Sequence, residues 1–428
     1  MSPSSPNRWH KLDNTANLFP VIASRRFSNV YRLFITLQEP VDPELLQKAL
    51  ETVLPWFSAF KVRMRRGLFW RYFENNPATP TVQPEDDYPV QYIDPLQNNQ
   101  FLFRVTYFER RINLEIFHVL TDGTGGMQFL QALCCQYLLL AHPAVFDDIT
   151  RTTRWFASHA TNTEDSYVAN YTPTQKSTFR VGRATSLTGE RTTLNALSVV
   201  HAYTPIKPLL ALCRERQVSV TQYLTACIGW AVYTQQLRKQ APKYPVNIFL
   251  PVNLRNLFPS TTSLNFFSNV YISLMYGGGC YTFEDLLADV KQQFEEKITL
   301  ENMQEKISYT VGGGNHPLVR MAPLLFKNIV LRAIFKASAK SSTLGFSNVG
   351  KVEMPPAFAP FVAGAGALLS CSPREPFKCA AASYNDILTF SFTSALQSPA
   401  LQQAVVRQLT ADGLDVTIET NGVYNENM

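Results

Sequence analysis

The spacing of hydrophobic and polar positions divides the first part of the chain into short strands and longer helices. An apolar stretch predicts a strand over Val30 to Leu37, and DPELLQKALETVLPWF predicts a helix capped by Asp42 with Pro43 in its first turn. Two further strands, FLFRVTYF and RINLEIFHV, flank a turn near Arg110. After TDGTGG, an apolar helix is expected from about Met127 to Ala141. This succession of strands and helices indicates an α/β protein.

A change of composition marks the middle of the chain. From Asp147 to about Asn195 the sequence is rich in Thr, Ser, Asn and charged residues and poor in aliphatic ones, which is typical of a linker or a surface crossing. The sequence therefore predicts an N-terminal half at residues 1–160, a linking segment at 161–195 and a C-terminal half at 196–428. A chain of 428 residues is longer than one hydrophobic core usually supports, which agrees with two halves.

The second half returns to the pattern of strand and helix. A strand is expected from Ala196 to Tyr203, followed by a helix after Pro205 and a second helix from Thr221 to Lys239. The stretch NIFLPVNLRNLFP then predicts a strand that runs into a proline-rich loop.

The tetrapeptide FSNV begins at Phe27, Phe267 and Phe346. The offset that relates the first two copies also aligns VDPELLQKALETVL with YTFEDLLADVKQQF, in which Thr282 and Asp285 have capping-box spacing. This weak internal repeat indicates two similar α/β halves. The third copy is followed by KVEMPPAFAPF rather than by a helix, so we assign it to a different kind of element.

The charge of the chain is mildly basic. A net charge of +6 suits a phosphate-bearing substrate or an acidic protein partner, but it lies far below the charge density expected of a nucleic-acid-binding protein. The sharpest cluster is KVRMRRGLFWR, in which Lys61, Arg63 and Arg65 alternate with apolar residues and share one face of a strand. That face is either solvated or a contact for an anion or a carrier protein.

Several classes of protein are not expected. No apolar run has the length of a membrane span, and the opening MSPSSPNRWHKLDN has no apolar signal core, so we expect a cytoplasmic protein. The seven cysteines include no CxxC pair, and the histidines and cysteines lack the spacing of a metal site, so no metal is expected. We interpret Cys134 and Cys135 as core residues of the apolar helix.

Residues 323–340, PLLFKNIVLRAIFKASAK, form an apolar helix that carries basic side chains. Such a helix can lie on a membrane surface, so a peripheral membrane contact is one interpretation. The favoured interpretation is a helix packed on the core, with its basic side chains reaching solvent.

The stretch IFHVLTDGTGG carries the candidate chemistry. Ile112, Leu114 and Ile116 share one face of a strand, and His118 lies on that face at the end of the strand. The glycines that follow let the chain turn sharply and bring other groups close to the imidazole. A histidine accepts a proton near neutral pH if its other nitrogen is oriented, so His118 is either a general base or a hydrogen-bonded core residue.

His118, Asp122 and Gly123 match the HxxxDG signature of the CoA-dependent acyltransferase superfamily, which includes chloramphenicol acetyltransferase, wax-ester synthases and the condensation domains of nonribosomal peptide synthesis. The chain also resembles that superfamily in PVNLRNLFP, its arginine-bearing loop, and in SNVG at Ser347 to Gly350, an element of the alcohol acetyltransferases. KLDNTANLFP looks like the free-standing bacterial alcohol-acetyltransferase-like group. The resemblance implies two chloramphenicol-acetyltransferase-like halves, each a mixed sheet flanked by helices. It also implies an active-site tunnel at their interface and a crossover element near 345–375.

The resemblance assigns roles to the signature residues. His118 would be the general base that takes the proton of an acceptor hydroxyl or amine. Asp122 would face away from the substrate and form an ion pair with Arg255, and Gly123 would keep the tunnel open for the thioester. Many relatives carry a second histidine directly before the catalytic one, and Phe117 occupies that position here. BAHD-type members of the superfamily also lack this histidine, so its absence does not argue against activity.

Ser347 and Asn348 are candidate donors of hydrogen bonds to the oxyanion of the tetrahedral intermediate. They are also consistent with a purely structural role in a strand that crosses between the halves. The sequence leaves both interpretations open.

Our leading hypothesis is a monomeric acyltransferase that moves an acyl group from acyl-CoA, its co-substrate, to a small alcohol or amine. No permanently bound cofactor, covalent enzyme intermediate or nucleic-acid partner is expected. One alternative is a condensation-type ester or amide synthase that uses the thioester of an acyl carrier protein. Another is a noncatalytic scaffold of the same fold.

Overall fold

The computed structural model describes residues 9–13, 16–146, 164–173, 182–193, 196–276, 281–315 and 321–423. Residues 161–163, 174–181 and 194–195 of the predicted linking segment lie outside the described residues. The elements of the first part are β1 (Trp9–Lys11), α1 (Phe19–Ile22), β2 (Val30–Leu37), α2 (Pro43–Val53), β3 (Val62–Arg66), β4 (Arg71–Asn75), β5 (Gln83–Pro84), β6 (Phe103–Phe108), β7 (Arg111–Phe117) and α3 (Gly123–Ala141).

The remaining elements alternate between strands and helices in the same manner. They are α4 (Ser166–Ala169), β8 (Ser198–Pro205), α5 (Ile206–Glu215), α6 (Val220–Ala231), β9 (Val246–Asn253), β10 (Phe267–Leu274), α7 (Phe283–Lys297), α8 (Leu300–Asn315), α9 (Leu324–Ser338), β11 (Leu344–Val352), β12 (Val362–Leu369), β13 (Phe377–Tyr384), β14 (Ile387–Ser394), α10 (Ala400–Ala411) and β15 (Thr417–Thr420).

These strands form two large mixed sheets and one small sheet. The N-terminal sheet has the order β12-β2-β7-β6-β5, the C-terminal sheet has the order β10-β9-β11-β13-β14-β8-β15, and β1, β4 and β3 form the small sheet. A separate apolar cluster lies on each large sheet, under α2 and α3 in one case and under α6, α7 and α10 in the other. The predicted class, two α/β halves with mixed sheets flanked by helices, is confirmed.

One strand of the N-terminal sheet comes from late in the chain. β12 pairs antiparallel with β2, while β11 before it and β13 after it pair in parallel with each other inside the C-terminal sheet. The chain therefore leaves its second sheet, adds one edge strand to the first and returns. The third FSNV lies in β11, in the interior of the C-terminal sheet, whereas the second lies in the edge strand β10.

The internal repeat appears as a strand followed by a capped helix. Asp42 caps α2 by accepting hydrogen bonds from the backbone N–H groups of Glu44 and Leu45, at 2.8 and 3.1 Å. α7 begins with the predicted capping box of Thr282 and Asp285. Both caps satisfy N–H groups that a helix leaves without partners in its first turn.

Two predicted helix boundaries were wrong. The apolar helix begins at Gly123 rather than near Met127, because the carboxylate of Asp122 caps it and the glycines of TDGTGG form its first turn. The predicted helix from Thr221 to Lys239 is α-helical only to Ala231 and then widens into a π-helical turn. Lys239, with a φ of 61°, cannot continue a right-handed helix.

β7, the strand that leads to His118, is buried on both faces. Ile112, Leu114 and Ile116 lie in the core as predicted. The alternate position Glu115 is also fully buried, where it accepts hydrogen bonds from the guanidinium groups of Arg32 and Arg104. The alternation of apolar residues along β7 therefore predicted only one of its two buried faces.

The prediction that residues 323–340 pack on the core was wrong. In α9 only Leu324 is buried, and the large apolar side chains of the next two turns are exposed. The helix lies on the surface of the protein.

Candidate active site

His118 lies between the two halves at the end of β7. Its backbone N–H donates to the carbonyl of Asn29, in the first FSNV, at 3.0 Å. Its ring stacks on Phe19 of α1 with the centroids 4.7 Å apart and contacts Tyr31 of β2 at 4.9 Å. Phe267 of β10, in the second FSNV, approaches from the other half at 5.4 Å. Three aromatic rings from both halves thus fix the plane of the imidazole.

The side chain of Asn265 fixes which nitrogen of His118 carries the hydrogen. The Nδ2 group of Asn265 donates to Oδ2 of Asp13 at 2.9 Å and to the carbonyl of His118 at 3.3 Å. A carbonyl only accepts, so this nitrogen is correctly assigned and the Oδ1 of Asn265 faces His118 Nδ1, 3.2 Å away. The hydrogen therefore lies on Nδ1, and Nε2 keeps its lone pair.

The surroundings of His118 keep its ring neutral. Burial lowers the pKa of His118 below its ordinary value. A hydrogen bond to its own carbonyl, the charge of Asp122 and the hydrogen bond to Asn265 oppose this effect without overcoming it. Because the lowered pKa lies below neutral pH, His118 is unprotonated there and can accept a proton at Nε2.

Asp122 directs both carboxylate oxygens away from His118. Oδ1 accepts from the backbone N–H groups of Thr124 and Gly125, at 3.1 and 3.2 Å, and so caps α3. Oδ2 accepts from the N–H of Phe266 and from Arg255 Nη1, both at 2.8 Å. A carboxylate occupied in this way is a structural group, since its lone pairs already have partners.

Arg255 and Asp122 form an ion pair that joins the two halves, which we call the latch. In addition to Asp122, the guanidinium of Arg255 donates to the carbonyl of Leu264 at 2.6 Å and twice to the carbonyl of Thr262, at 3.0 and 3.2 Å. The side chains of Arg255 and Asp122 are only 11% and 8% exposed. The latch therefore holds the segment that carries Asn265 against the start of α3.

The glycines of the signature have different surroundings. A Cβ atom added to Gly123 would meet no atom within 4 Å. A Cβ atom on Gly125 would lie 2.3 Å from the carbonyl oxygen of Ser263 and 2.2 Å from the hydroxyl of Thr121. Gly125 is therefore required for the close approach of the two halves, whereas Gly123 borders open space.

Ser347 and Asn348 lie in β11, and among the described residues neither makes a hydrogen bond to His118. Asn348 Nδ2 donates to the hydroxyl of Thr221 at 2.9 Å, and its Oδ1 accepts from the backbone N–H of Gly350. These bonds hold a bulge in the strand, at which Gly350 has a φ of 86°. Asn348 thus ties the bulge to the first turn of α6.

A cleft of about 300 Å³ opens between the halves near the start of β2. Arg25, Arg26 and Arg191 line it, together with Ser28 and Cys371. Ser28 is next to Asn29, the residue that accepts the N–H of His118, so the cleft reaches the neighbourhood of the imidazole without including it.

The basic strand face predicted at Lys61, Arg63 and Arg65 is partly neutralised. Arg63 and Arg65 both donate to Oε2 of Glu74 on β4, at 3.0 and 2.7 Å. Two of the three cations therefore share one carboxylate.

Neither a metal centre nor a membrane span is found in the part of the chain that the structure describes. No group of three His, Cys, Asp or Glu residues there could hold a metal ion. No helix there is both long enough and apolar enough to cross a bilayer.

The sequence patterns did not single out Asp13, Phe19 or Asn265. Asp13 and Phe19 both belong to KLDNTANLFP, which carried the resemblance to one subgroup but supplied no candidate site residue. Asn265 lies two residues before Phe267, the start of the second FSNV, which could have pointed to it. Burial raises the pKa of Asp13 to about 7, an unusual value for an aspartate.

Comparison by sequence finds no matching model of a protein family and no similar curated protein. Solved structures do match over nearly the whole chain. TRI101 from F. sporotrichioides, solved with coenzyme A and T-2, is 12% identical, with 96% of this chain and 99% of its own covered and a TM-score of 0.61. The starter condensation domain of rhizomide synthetase RzmA, solved with C8-CoA and Leu-SNAC, is 12% identical, with 95% of each chain covered and a TM-score of 0.56.

A wax ester synthase/diacylglycerol acyltransferase from Marinobacter aquaeolei VT8 is 13% identical, with 94% of this chain and 100% of its own covered and a TM-score of 0.54. At such identities the similarity concerns the fold. The chain therefore has the CoA-dependent acyltransferase fold that the HxxxDG resemblance implied.

Proposed function

We propose that this protein is an acyltransferase that moves an acyl group from acyl-CoA to an alcohol or amine, with His118 as general base and no covalent enzyme intermediate. The observation that carries the proposal is the bond between His118 Nδ1 and Asn265 Oδ1, which leaves Nε2 as the proton acceptor of a neutral imidazole. The core residue His201 also has one bonded ring nitrogen, but it is only 3% exposed, whereas His118 is partly exposed between the halves.

The reaction needs one base and two aligned substrates. Nε2 of His118 takes the proton of the acceptor hydroxyl while the acceptor oxygen bonds to the thioester carbonyl carbon. The tetrahedral intermediate then collapses, the C–S bond breaks, and the leaving sulfur takes the proton from His118. The products are an ester and free CoA thiol, and the imidazole returns to its neutral form. Much of the rate comes from holding the two substrates in line.

Asp122 and Arg255 act in this proposal as positioning residues. Their ion pair keeps the N-terminus of α3 and the segment of Asn265 in place, so the tautomer of His118 depends on it. Gly123 leaves room beside the base for the thioester arm, since nothing lies within 4 Å of where its Cβ would be.

For the oxyanion, we propose Ser347 as the donor ahead of Asn348. The amide of Asn348 is already bonded to Thr221 and Gly350, whereas Ser347 is partly exposed beside it on β11. A well-made bond to an oxyanion contributes about 3–4 kcal/mol to catalysis. Ser347→Ala should therefore lower kcat more than Asn348→Ala does at equal stability.

Free acyl-CoA is the donor that the surface charges favour. Two neighbours of the same fold were solved with CoA or an acyl-CoA, and the cleft between the halves here carries Arg25, Arg26 and Arg191, whose charges suit phosphate groups. Arg63 and Arg65, part of the basic strand face that could contact an acidic carrier protein, are partly neutralised by Glu74.

Thiol release tests the proposed activity. A panel of acyl-CoAs is mixed with alcohols and amines, and the release of CoA thiol by the wild type is compared with that by His118→Ala and His142→Ala. His142 is a partly buried histidine that contacts Phe361 and Glu39 rather than the site, so its loss should leave the rate unchanged. Equal release by wild type and His118→Ala would exclude the general base. No release with any pair of substrates would favour the noncatalytic scaffold.

Charge reversal distinguishes a carrier-protein donor from an acyl-CoA donor. Arg65→Glu with Arg66→Glu should leave transfer from acyl-CoA intact. If transfer instead requires a carrier-bound thioester and the double variant loses it, the condensation-type alternative is correct.

A further inference from the structure

α9 exposes an apolar stripe along one side. Five of its large apolar side chains are between 57% and 61% exposed: Leu325, Phe326, Ile329, Val330 and Ile334. They recur at intervals of four along the helix, in the rows 325–329 and 326–330–334, so they share one face. A continuous apolar face on the outside of a protein marks an interaction surface.

The stripe is bordered by cations. On a helical projection Lys327 falls at one edge and Arg332 and Lys336 at the other, and α9 contains no acidic residue. Arg332 and Lys336 take part in none of the ion pairs with carboxylates found among the described residues. Apolar residues in the middle and basic ones along both edges form the pattern of a helix that lies flat in the headgroup region of a bilayer.

Adjacent residues extend the surface. The backbone N–H of Leu324 donates to the carbonyl of Leu68 at 2.8 Å, which fixes the β3–β4 turn beside the start of α9. Within that turn Leu68 is 71% exposed and Trp70 is 48% exposed. A partly exposed tryptophan next to an apolar stripe suits the interface between lipid and water.

Positive charge also gathers beneath this turn. Arg71 Nη2 bonds to the side-chain oxygen of Asn328 on α9, at 3.2 Å. Burial lowers the pKa of Arg71, and the neighbouring charges of Arg66 and Arg332 lower it further. None of the ion pairs found among the described residues involves Arg66, Arg71 or Arg332, so this cluster carries positive charge that anions would stabilise.

We propose that α9 and the β3–β4 turn form a docking surface for an anionic lipid bilayer, with the apolar stripe inserted between headgroups and the basic side chains on lipid phosphates. A second copy of this chain is a poorer occupant. Two copies facing each other through α9 would bring Lys327, Arg332 and Lys336 of each into one apolar contact without an acidic residue on either helix.

The surface adjoins the candidate active site. Arg332 Nε donates to the carbonyl of Val21 in α1 at 3.2 Å, and Phe335 stacks on Phe27 with the centroids 5.9 Å apart. α1 in turn places Phe19 on the ring of His118. A bilayer bound at α9 would lie next to the segment that covers the base. The docking proposal itself holds whether or not the protein transfers acyl groups.

Flotation with vesicles tests this surface, using the full chain. Phosphatidylcholine vesicles with and without phosphatidylglycerol are compared at low and high salt. The wild type should float with the anionic vesicles, more weakly with the neutral ones, and less at high salt. Ile329→Ser with Ile334→Ser should reduce the bound fraction about tenfold, and Lys336→Glu several-fold, both from loss of interfacial contacts.

Matched variants test whether the loss of vesicle binding is specific to the α9 residues. Ile387→Ser with Ile418→Ser removes two other exposed isoleucines, and Lys48→Glu reverses an exposed lysine of α2, so these variants should bind like the wild type. Circular dichroism and sedimentation show whether each variant is folded and monomeric. Failure of the wild type to float, or equal loss in the matched variants, would overturn the proposal. Equal flotation with neutral vesicles would refute the role of the cations. A dimer abolished only by the α9 substitutions would show that a second copy is the true occupant.

Discussion

Replacing Arg255 by methionine is expected to destabilise the folded protein by about 3–5 kcal/mol, the usual cost of leaving one member of a buried ion pair without its partner. Asp122 is 8% exposed on its side chain, so water cannot replace the lost cation. The carbonyls of Thr262 and Leu264 lose their donors at the same time. Methionine fills a volume similar to that of arginine. The loss of stability therefore measures the lost charge and hydrogen bonds rather than the creation of a cavity.

Urea titration followed by tryptophan fluorescence measures this effect, with Arg65→Met as the matched control. Arg65 is 40% exposed and Glu74 36%, and Arg63 still pairs with that carboxylate when Arg65 is gone, so the control should lose less than about 1 kcal/mol. A loss for Arg255→Met no larger than that of the control would show that the latch does not hold the halves together.

Activity supplies a second measurement on the same variant. Arg255 binds the carbonyl of Leu264, directly before Asn265, so its loss should also disturb the bond that fixes the His118 tautomer. We expect kcat for thiol release to fall well below that of Arg65→Met under conditions in which both variants are folded. If Arg255→Met is destabilised but its kcat is unchanged, the latch contributes to stability and not to catalysis.

The remaining predictions concern the base and its supports. The rate should rise with pH to a plateau, with its inflection below the ordinary pKa of histidine because burial lowers the pKa of His118; an inflection above pH 7 would contradict this. Asn265→Ala removes a bond that raises that pKa, so it should lower kcat and move the inflection to lower pH in the same rate measurements. Gly125→Ala should lower the melting temperature, since its Cβ would lie 2.3 Å from a backbone oxygen, while Gly123→Ala should fold normally and raise KM for the thioester. The fold raises the pKa of Asp13 from 3.8 to about 7, so its contribution to the free energy of unfolding falls as the pH rises through that interval. Asp13→Asn should therefore gain stability relative to the wild type from about pH 4 to pH 7 in urea titrations, and a constant difference would refute the raised pKa.

Local patterns predicted most of the elements because short-range rules govern them. The strand Val30–Leu37 has the predicted bounds, and α2 has its predicted cap at Asp42. The helix at 127–141 was predicted too short, because its first turn contains three glycines, which are disfavoured in helices, and two of them, Gly125 and Gly126, are needed here for close packing. Periodicity alone does not show such a tertiary requirement.

Patterns also could not show what covers a helix. The sequence of α9 fits a core helix and a surface helix equally, since both have one apolar side. Which side meets protein depends on the position of α1 and of the β3–β4 turn, which lie about 300 and 250 residues away in sequence.

The sequence predicted the HxxxDG residues of the candidate site but not the residues that orient His118. The sequence identified His118 because HxxxDG is a contiguous motif. Asn265 and Asp13 lie far from His118 in sequence and come near it only in the folded protein. The three copies of FSNV show the same limit. The first two contact His118 through the carbonyl of Asn29 and the ring of Phe267, although candidate site residues were predicted from the sequence only in the third.

These contacts change which residues distinguish an enzyme from a scaffold of this fold. The presence of His118, Asp122, Gly123 and Arg255 together favours an enzyme over a scaffold, yet Asp122 and Arg255 form a buried latch that stability alone would preserve. Asn265 makes a bond whose chemical consequence is to leave Nε2 of His118 unprotonated, and the proposed general base requires that. A chain could keep the whole signature and the latch, lose this one amide, and retain the fold while losing the oriented base. Under the proposed mechanism, the residue at position 265 therefore distinguishes an enzyme from a scaffold more directly than Asp122 or Arg255 does.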